Sequence, residues 1–185
     1  MPPSTPEALL LVDGYNIIGA WSQLKKVRDR AGLEPARREL VESLIGYSAF
    51  QGFETQVVFD AQYQGTPGAQ EKITPHVTVC YTNFLQTADT YIEIACARFR
   101  NDLRKFDRRL IVATSDRAQQ LTVTGYGAEW ISANRLQTEV ESVTHRIRSR
   151  HRSQERSPKR FLFHSLDPAA RQRLAQLRMG GLTDQ

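Results

Sequence analysis

Four aspartates hold positions from which they could act together on a phosphate. Asp13 ends the apolar run that starts at Ala8, Asp60 ends ETQVVFD, and Asp116 follows RLIVATS. Asp89 lies in TADTYIE, with Glu93 one helical turn further along. Such apolar runs read as buried strands, and in a parallel sheet the carboxyl ends of the strands share the edge where ligands bind. A single aspartate after a strand is commonly a helix cap. Several on one edge are different, because crowded carboxylates repel and some must hold protons unless a cation is present. A hard divalent cation with oxygen ligands, Mg²⁺ or Mn²⁺, resolves the repulsion and suits reactions at phosphate.

Positioning these groups requires strands and helices in alternation, and the chain supplies them. Strand patterns cover Ala8–Asp13, Glu54–Asp60, His76–Tyr81, Arg109–Thr114 and Ala128–Ser132. Helical spacing links Leu40, Leu44, Ile45 and Tyr47 in Pro35–Gly52, and Ile92, Ala95, Cys96 and Phe99 in a helix from Thr87 to about Phe106. Thr87 is placed to cap that helix. A short helix is expected from Asp116 to about Val123, and Leu136, Val140, Val143 and Ile147 mark another after Asn134. Asp167-Pro168 supplies an N-cap and first-turn proline for a last helix, closed by Gly180-Gly181. The stretch Gln62–Lys72 reads as a loop. This alternation predicts an α/β fold, a mainly parallel five-stranded sheet with helices on both faces.

A chain of 185 residues is one domain with an appendage, here expected as a domain over 1–144 and a basic helical extension over 145–185. Hydrophobic residues are 40% and charged residues 24%, ordinary values for a globular protein. Cys80 and Cys96 sit in apolar stretches without metal-ligand spacing and read as buried, reduced thiols. The N-terminal MPPSTPEA has no basic region, and no apolar run reaches membrane-spanning length. The expected location is the cytoplasm. His76, His145, His151 and His164 share no catalytic spacing.

The net charge of +5 is unevenly placed. His145–Arg160 holds seven Lys or Arg against Glu155, a local +6, so the remaining residues sum to −1. A solvated helix and linker would look the same, but the density of arginines favours contact with a polyanion.

Other folds with an acidic edge fit less well. Haloacid-dehalogenase phosphatases need a second aspartate two residues after the first, where this chain has Tyr15. Phospho-receiver domains need paired acids at the first strand, and a dinucleotide fold needs a glycine-rich first turn that Gly14 and Gly19 do not make. VDGYN, VVFDA, TADTYIE and ATSD, in this order, resemble the YacP-like branch of the NYN-domain proteins, within the PIN-like nuclease superfold. The resemblance spans about Leu9 to Ala133. It implies a doubly wound domain and metal-dependent endoribonuclease activity.

Residue by residue, Asp13, Asp60, Asp89 and Asp116 fall on the family's acidic positions, and Asn16 on the asparagine of its first motif. Asp13, Asp89 and Asp116 are then the expected metal ligands, with Asp60 supporting the metal shell or orienting the attacking water. Asn16 either orients Asp13, contacts substrate, or satisfies turn backbone. Ser115 either donates to phosphate or caps locally, and Glu93 is either a supporting acid or an exposed helix residue. Tyr15 and Trp21 either stack on bases or pack in the core. Arg146, Arg148, Arg150 and Arg152 are expected to follow substrate phosphates. The function expected is hydrolysis of RNA, with messenger RNA as substrate and the ribosome as a candidate partner. The alternative is a non-catalytic RNA-binding or ribosome-docking module, whose signature would be a missing acid; none is missing.

Overall fold

The structure is a computed structural model that describes residues 8–61, 68–103 and 107–156, with side chains through residue 152. Strand β1 (Ala8–Asp13) is apolar at every position but its last, and Leu10, Leu11 and Val12 are all but inaccessible. Such a strand must be covered on both faces and flanked on both sides. It lies between β2 (Phe53–Phe59) and β5 (Arg109–Ala113), parallel to both. Outside them run β4 (Val77–Tyr81), parallel to β2, and β6 (Glu129–Ile131), parallel to β5. With β3 (Gln70–Lys72) the order is β3-β4-β2-β1-β5-β6. The chain builds outward from β1 in one direction and then, from β5, in the other. The carboxyl ends of β1 and β5 therefore flank the point where connections diverge, the usual ligand crevice of a doubly wound sheet.

Six helices complete the described fold: α1 (Gly14–Ala20), α2 (Ser22–Ala31), α3 (Leu33–Gln51), α4 (Ala88–Arg100), α5 (Arg117–Gly125) and α6 (Ala133–Arg156). Side chains alternate across a strand, so β1 feeds two cores. Leu11 joins Val58, Cys80 and Val112 beneath Ile92 and Cys96 of α4 and Val123 of α5. On the other face Leu10 borders Tyr47 and Phe53, whose rings meet edge-on at 6.1 Å. There Trp21 Nε1 donates to the Ala133 carbonyl at 2.8 Å, and the Tyr47 hydroxyl donates to Glu139 at 2.8 Å. Cys80 and Cys96 are free and buried.

The sheet has six strands, not five. The additional one is β3, antiparallel to β4 at the edge, within the stretch read as loop. Its residues Gln70, Glu71 and Lys72 are all exposed, so no burial pattern marks it. Helix α2 lies in a stretch to which the sequence reading assigns no element; Leu24 is its sole buried residue, and no side chain caps its start. Helix α4 stops at Arg100, where Asn101 caps it by donating to the Arg98 carbonyl, rather than near Phe106. Phe106, Pro158, Lys159, Arg160 and the helix expected from Asp167 lie outside the described residues. The chain divides into two compact units, Met1–Thr144 and His145–Gln185. Among the described residues no helix is long and apolar enough to cross a membrane.

The turn from β1 into α1 leaves no room for a side chain at Gly14, because a Cβ there would overlap the buried Phe59 ring. That ring is itself wedged between Tyr15 and Tyr81, at centroid distances of 5.1 and 6.0 Å. Gly14→Ala should therefore cost about 1–3 kcal/mol in urea unfolding, the usual penalty of overpacking. Gly19→Ala, in open space on the same helix, should be neutral or stabilising by up to ~1 kcal/mol. Equal effects of the two would remove the packing explanation.

Candidate active site

The four aspartates each end a strand or open a helix, and local hydrogen bonding holds each one. Asp13 is the N-cap of α1, its Oδ1 accepting from the Asn16 N–H at 3.2 Å. Asp116 is the N-cap of α5 and accepts from the amides of Ala118 at 2.8 Å and Gln119 at 3.2 Å. Asp60 follows β2 and accepts from the Ala88 amide, at the start of the helix that Thr87 caps. Asp89, in the first turn of α4, accepts from Gln119 Nε2 at 2.5 Å. All four carboxylates thus lie at helix N-termini, and three of them accept backbone N–H groups there, which favour negative charge. The capping role and the gathering of acids are both realised by the same residues.

The carboxylates also act on one another. Burial pushes the Asp13 carboxyl up to about 7, opposed by the Asn16 N–H and reinforced by the charges of Asp89, Asp60 and Asp116. Asp89 is raised as well, by partial burial first and then by Asp116 and Asp60, against the hydrogen bond from Gln119. Asp13 is 8% exposed, so its charge is the hardest of the four to solvate. An all-oxygen, anionic donor set of this kind fits a hard divalent cation. Among the described residues, no three or more His, Cys, Asp or Glu are arranged to hold such an ion unaided. Mg²⁺ characteristically takes only one or two carboxylates and completes its shell with water and substrate phosphate, so the donor chemistry still fits.

Asn16 ties the two halves of this edge together. Its side-chain oxygen accepts from the Ser115 amide at 2.7 Å, across 99 residues of sequence. The Ser115 hydroxyl oxygen accepts from the Ala133 amide at 3.2 Å, and the buried Thr114 hydroxyl from the Asp116 amide at 3.0 Å. Glu93 receives the Tyr126 hydroxyl at 3.3 Å and, with Asp89, Asp116 and Gln119, lines a cavity of about 170 Å³. Trp21 is buried and Tyr15 is half-buried, its hydroxyl accepting from Arg37 at 2.8 Å. Both aromatics belong to the packing and polar scaffold. In the second unit, Arg146, Arg148, Arg150 and Arg152 are exposed.

Two residues that sequence reading passed over belong to this edge. Gln119, 7% exposed, anchors Asp89 through Nε2 while its Oε1 is buried without a hydrogen bond. A signal for it exists, since Asp116-x-x-Gln119 has capping-box spacing. Arg37 bonds Tyr15 and Glu34 and lies over the Phe59 ring at 5.9 Å. Nothing in the local sequence marks it, because its partners come from other elements as well as its own helix.

A pH dependence follows from Asp13. The folded carboxyl titrates at about 7 against 3.8 for the ordinary group. Its contribution to stability is fully present below the unfolded value and is lost as pH rises through the folded one. Asp13→Asn keeps an acceptor for the Asn16 N–H but cannot ionise. In metal-free buffer, its melting temperature should exceed the parent's by little at pH 4 and by a growing margin up to about pH 7. A margin that does not vary with pH would show that the Asp13 carboxyl is not raised.

Residues 10–179 match the YacP-like NYN domain. The chain is 39% identical over 143 residues to YacP of Bacillus subtilis (strain 168), covering 77% of this chain and 80% of that protein. A crystal structure of Rae1 (YacP) from Bacillus subtilis superposes with a TM-score of 0.66 at 34% identity, over 93% of this chain and 95% of that one. A point variant of that protein superposes with a TM-score of 0.65, also at 34% identity, over 86% and 85%. The order of motifs along the chain, the doubly wound sheet and the acidic edge at its switch point agree with these likenesses: the chain belongs to the YacP-like NYN domain family, with its nuclease-like PIN fold.

Proposed function

We propose that this protein is a metal-dependent endoribonuclease that hydrolyses RNA phosphodiester bonds. The observation that carries the reading is the gathering of four aspartates around a buried one: burial raises Asp13 to about 7, and the charges of Asp89, Asp60 and Asp116 add to that rise. Carboxylates held at such a cost in solvation point to a site that is completed by a cation. Mg²⁺ or Mn²⁺, when bound, supplies neutralising charge, polarises a phosphoryl oxygen and lowers the pKa of a water. Asp13, Asp89 and Asp116 would hold it, directly or through water. Asp60 is fixed by the Ala88 amide and keeps a second oxygen to orient the attacking water. Attack on phosphorus with departure of the 3′-oxygen leaves a 5′-phosphate and a 3′-hydroxyl. The Asn16 amide N–H groups and the Ser115 hydroxyl hydrogen are the nearby neutral donors for the phosphate.

Arginines at 146, 148, 150 and 152 recur every second residue of α6. Successive pairs therefore fall on opposite sides of the helix, and like charges stand four residues apart, a mildly unfavourable arrangement. A polyanion relieves it, so we assign this segment to RNA phosphates. Messenger RNA is the proposed substrate, the ribosome a proposed partner and the cytoplasm the proposed location. Incubating the protein with cellular RNA and with translating ribosomes, then mapping new 5′ ends, tests the activity, the substrate and the partner. Absence of new ends with either metal would leave only an RNA-binding module.

Asp89→Asn should abolish cleavage yet leave the metal-free melting temperature unchanged or higher, because it removes one of the mutually repelling charges. Millimolar Mg²⁺ should raise the parent's melting temperature and the variant's much less. A variant that unfolds without metal would make Asp89 a structural residue. Changing Arg148, Arg150 and Arg152 together to Gln should weaken binding to every RNA. It should also reduce the slope of log affinity against log salt by about 0.7 for each phosphate that is no longer neutralised. Its rate at saturating RNA should match the parent's; an unchanged salt slope would remove the segment from the RNA interface.

A further inference from the structure

The connection from β4 to α4 carries a feature that the acidic edge does not explain. Asn83–Gln86 forms a tight turn, closed by the Gln86 N–H to the Asn83 carbonyl at 2.9 Å. Its central residues, Phe84 and Leu85, are 79% and 91% exposed. Leu85 has φ 66°, and is the only non-glycine with positive φ among the described residues. A turn with positive φ at this position is ordinarily occupied by Gly or Asn, and a branched residue there costs stability. Local folding would thus be better served by a polar or small pair.

The turn is also held firmly against the edge. Thr82, buried just before it, donates its N–H to the Phe59 carbonyl at 3.0 Å. Its hydroxyl accepts from the Ala61 amide at 2.9 Å, so both bonds bracket Asp60. After the turn, Thr87 caps α4 and Ala88 bonds the Asp60 carboxylate. Phe84 and Leu85 are therefore carried on a turn whose two flanks are hydrogen-bonded around Asp60, one turn ahead of Asp89.

We infer that Phe84, backed by Leu85, is a stacking platform for an unpaired base of the RNA whose phosphate enters the acidic edge. The inference rests on the nuclease reading and narrows its substrate to single-stranded RNA near the cut. The chemistry of the surroundings selects this occupant. Four carboxylates repel the phosphates of an approaching strand, whereas the face of a base is uncharged and stacks on an aromatic ring without regard to them. Two side chains are too small a patch for a stable protein interface, which buries upwards of about 1,000 Å². A duplex keeps its bases stacked internally and offers no free face to Phe84, so paired RNA should be a poor ligand here.

The test uses the full chain with short single-stranded RNA carrying 2-aminopurine, in an Asp89→Asn background so that the strand stays intact. Stacking should quench the probe at one nucleotide position. Phe84→Ala should abolish that quenching and weaken binding roughly 5- to 150-fold, the usual worth of a base–aromatic stack, and Phe84→Trp should restore both. Leu85→Gly should hold or raise the melting temperature while weakening RNA binding. Leu103→Ala is the control: Leu103 is 81% exposed but lies past the far end of α4, roughly 20 Å along the helix axis. In the active background, Phe84→Ala should raise KM for single-stranded RNA more than it lowers kcat. If Phe84→Ala leaves affinity, quenching and KM as in the parent while the parent cleaves RNA, the platform is refuted and the nuclease reading stands. If the parent cleaves no RNA with Mg²⁺ or Mn²⁺, the reading beneath it falls and this inference falls with it. A dimer in sedimentation that Phe84→Ala dissociates would assign the patch to a second copy of the chain and overturn the proposal.

Discussion

Everything around the acidic edge depends on keeping a carboxylate at the inner end of the most buried strand. Asp13 follows four aliphatic residues into a place where water reaches it poorly, and its raised proton affinity measures that difficulty. The neighbouring elements are arranged to tolerate it. Helix α1 begins at once, so that a backbone amide meets the charge. Beginning at once requires a residue without a side chain at position 14, because Phe59 already fills the space. Phe59 in turn fixes the end of β2, from which Asp60 emerges. A single solvation problem thus organises a helix start, a glycine and an aromatic stack.

Much of this was legible because burial writes itself into sequence. The runs ending in Asp13, Asp60 and Asp116 are strands whose buried positions are apolar except for Thr55 and the terminal Asp13, and each run ends at the same edge of the sheet. Thr87 as a cap, and Ile92 and Cys96 as the inner stripe of α4, follow from helical geometry alone. The acids could be placed on one edge once the strands were taken as parallel. Their mutual effects, including the large shift at Asp13, come from distances and burial that no spacing rule contains.

What escaped has a common physical character. Strand β3 buries nothing, so its residues carry no alternating pattern, and helix α2 is short, starts without a side-chain cap and fully buries only Leu24. Gln119, Arg37 and the Asn16–Ser115 link are polar contacts between elements far apart in sequence. Directional bonds of this kind depend on how two helices or loops dock, and a one-dimensional pattern records only that each partner is polar. The turn at Asn83–Gln86 escaped for a different reason. Phe84 and Leu85 look like core residues in sequence, and only their exposure in three dimensions marks them as unusual.

The pair of free cysteines gives the molecule a chemical silence. Both lie in the core between α4 and the sheet, Cys96 on the buried face of the helix and Cys80 on β4. Burial pushes the Cys96 thiol up to about 11 and raises Cys80 too, so little thiolate exists at neutral pH. Oxidants and alkylating reagents act on thiolates, and these two are sheltered from both. A reagent that labels them does so when α4 lifts from the sheet, which makes the rate of modification a clock for the opening of that helix, and with it of the wall that carries Asp89.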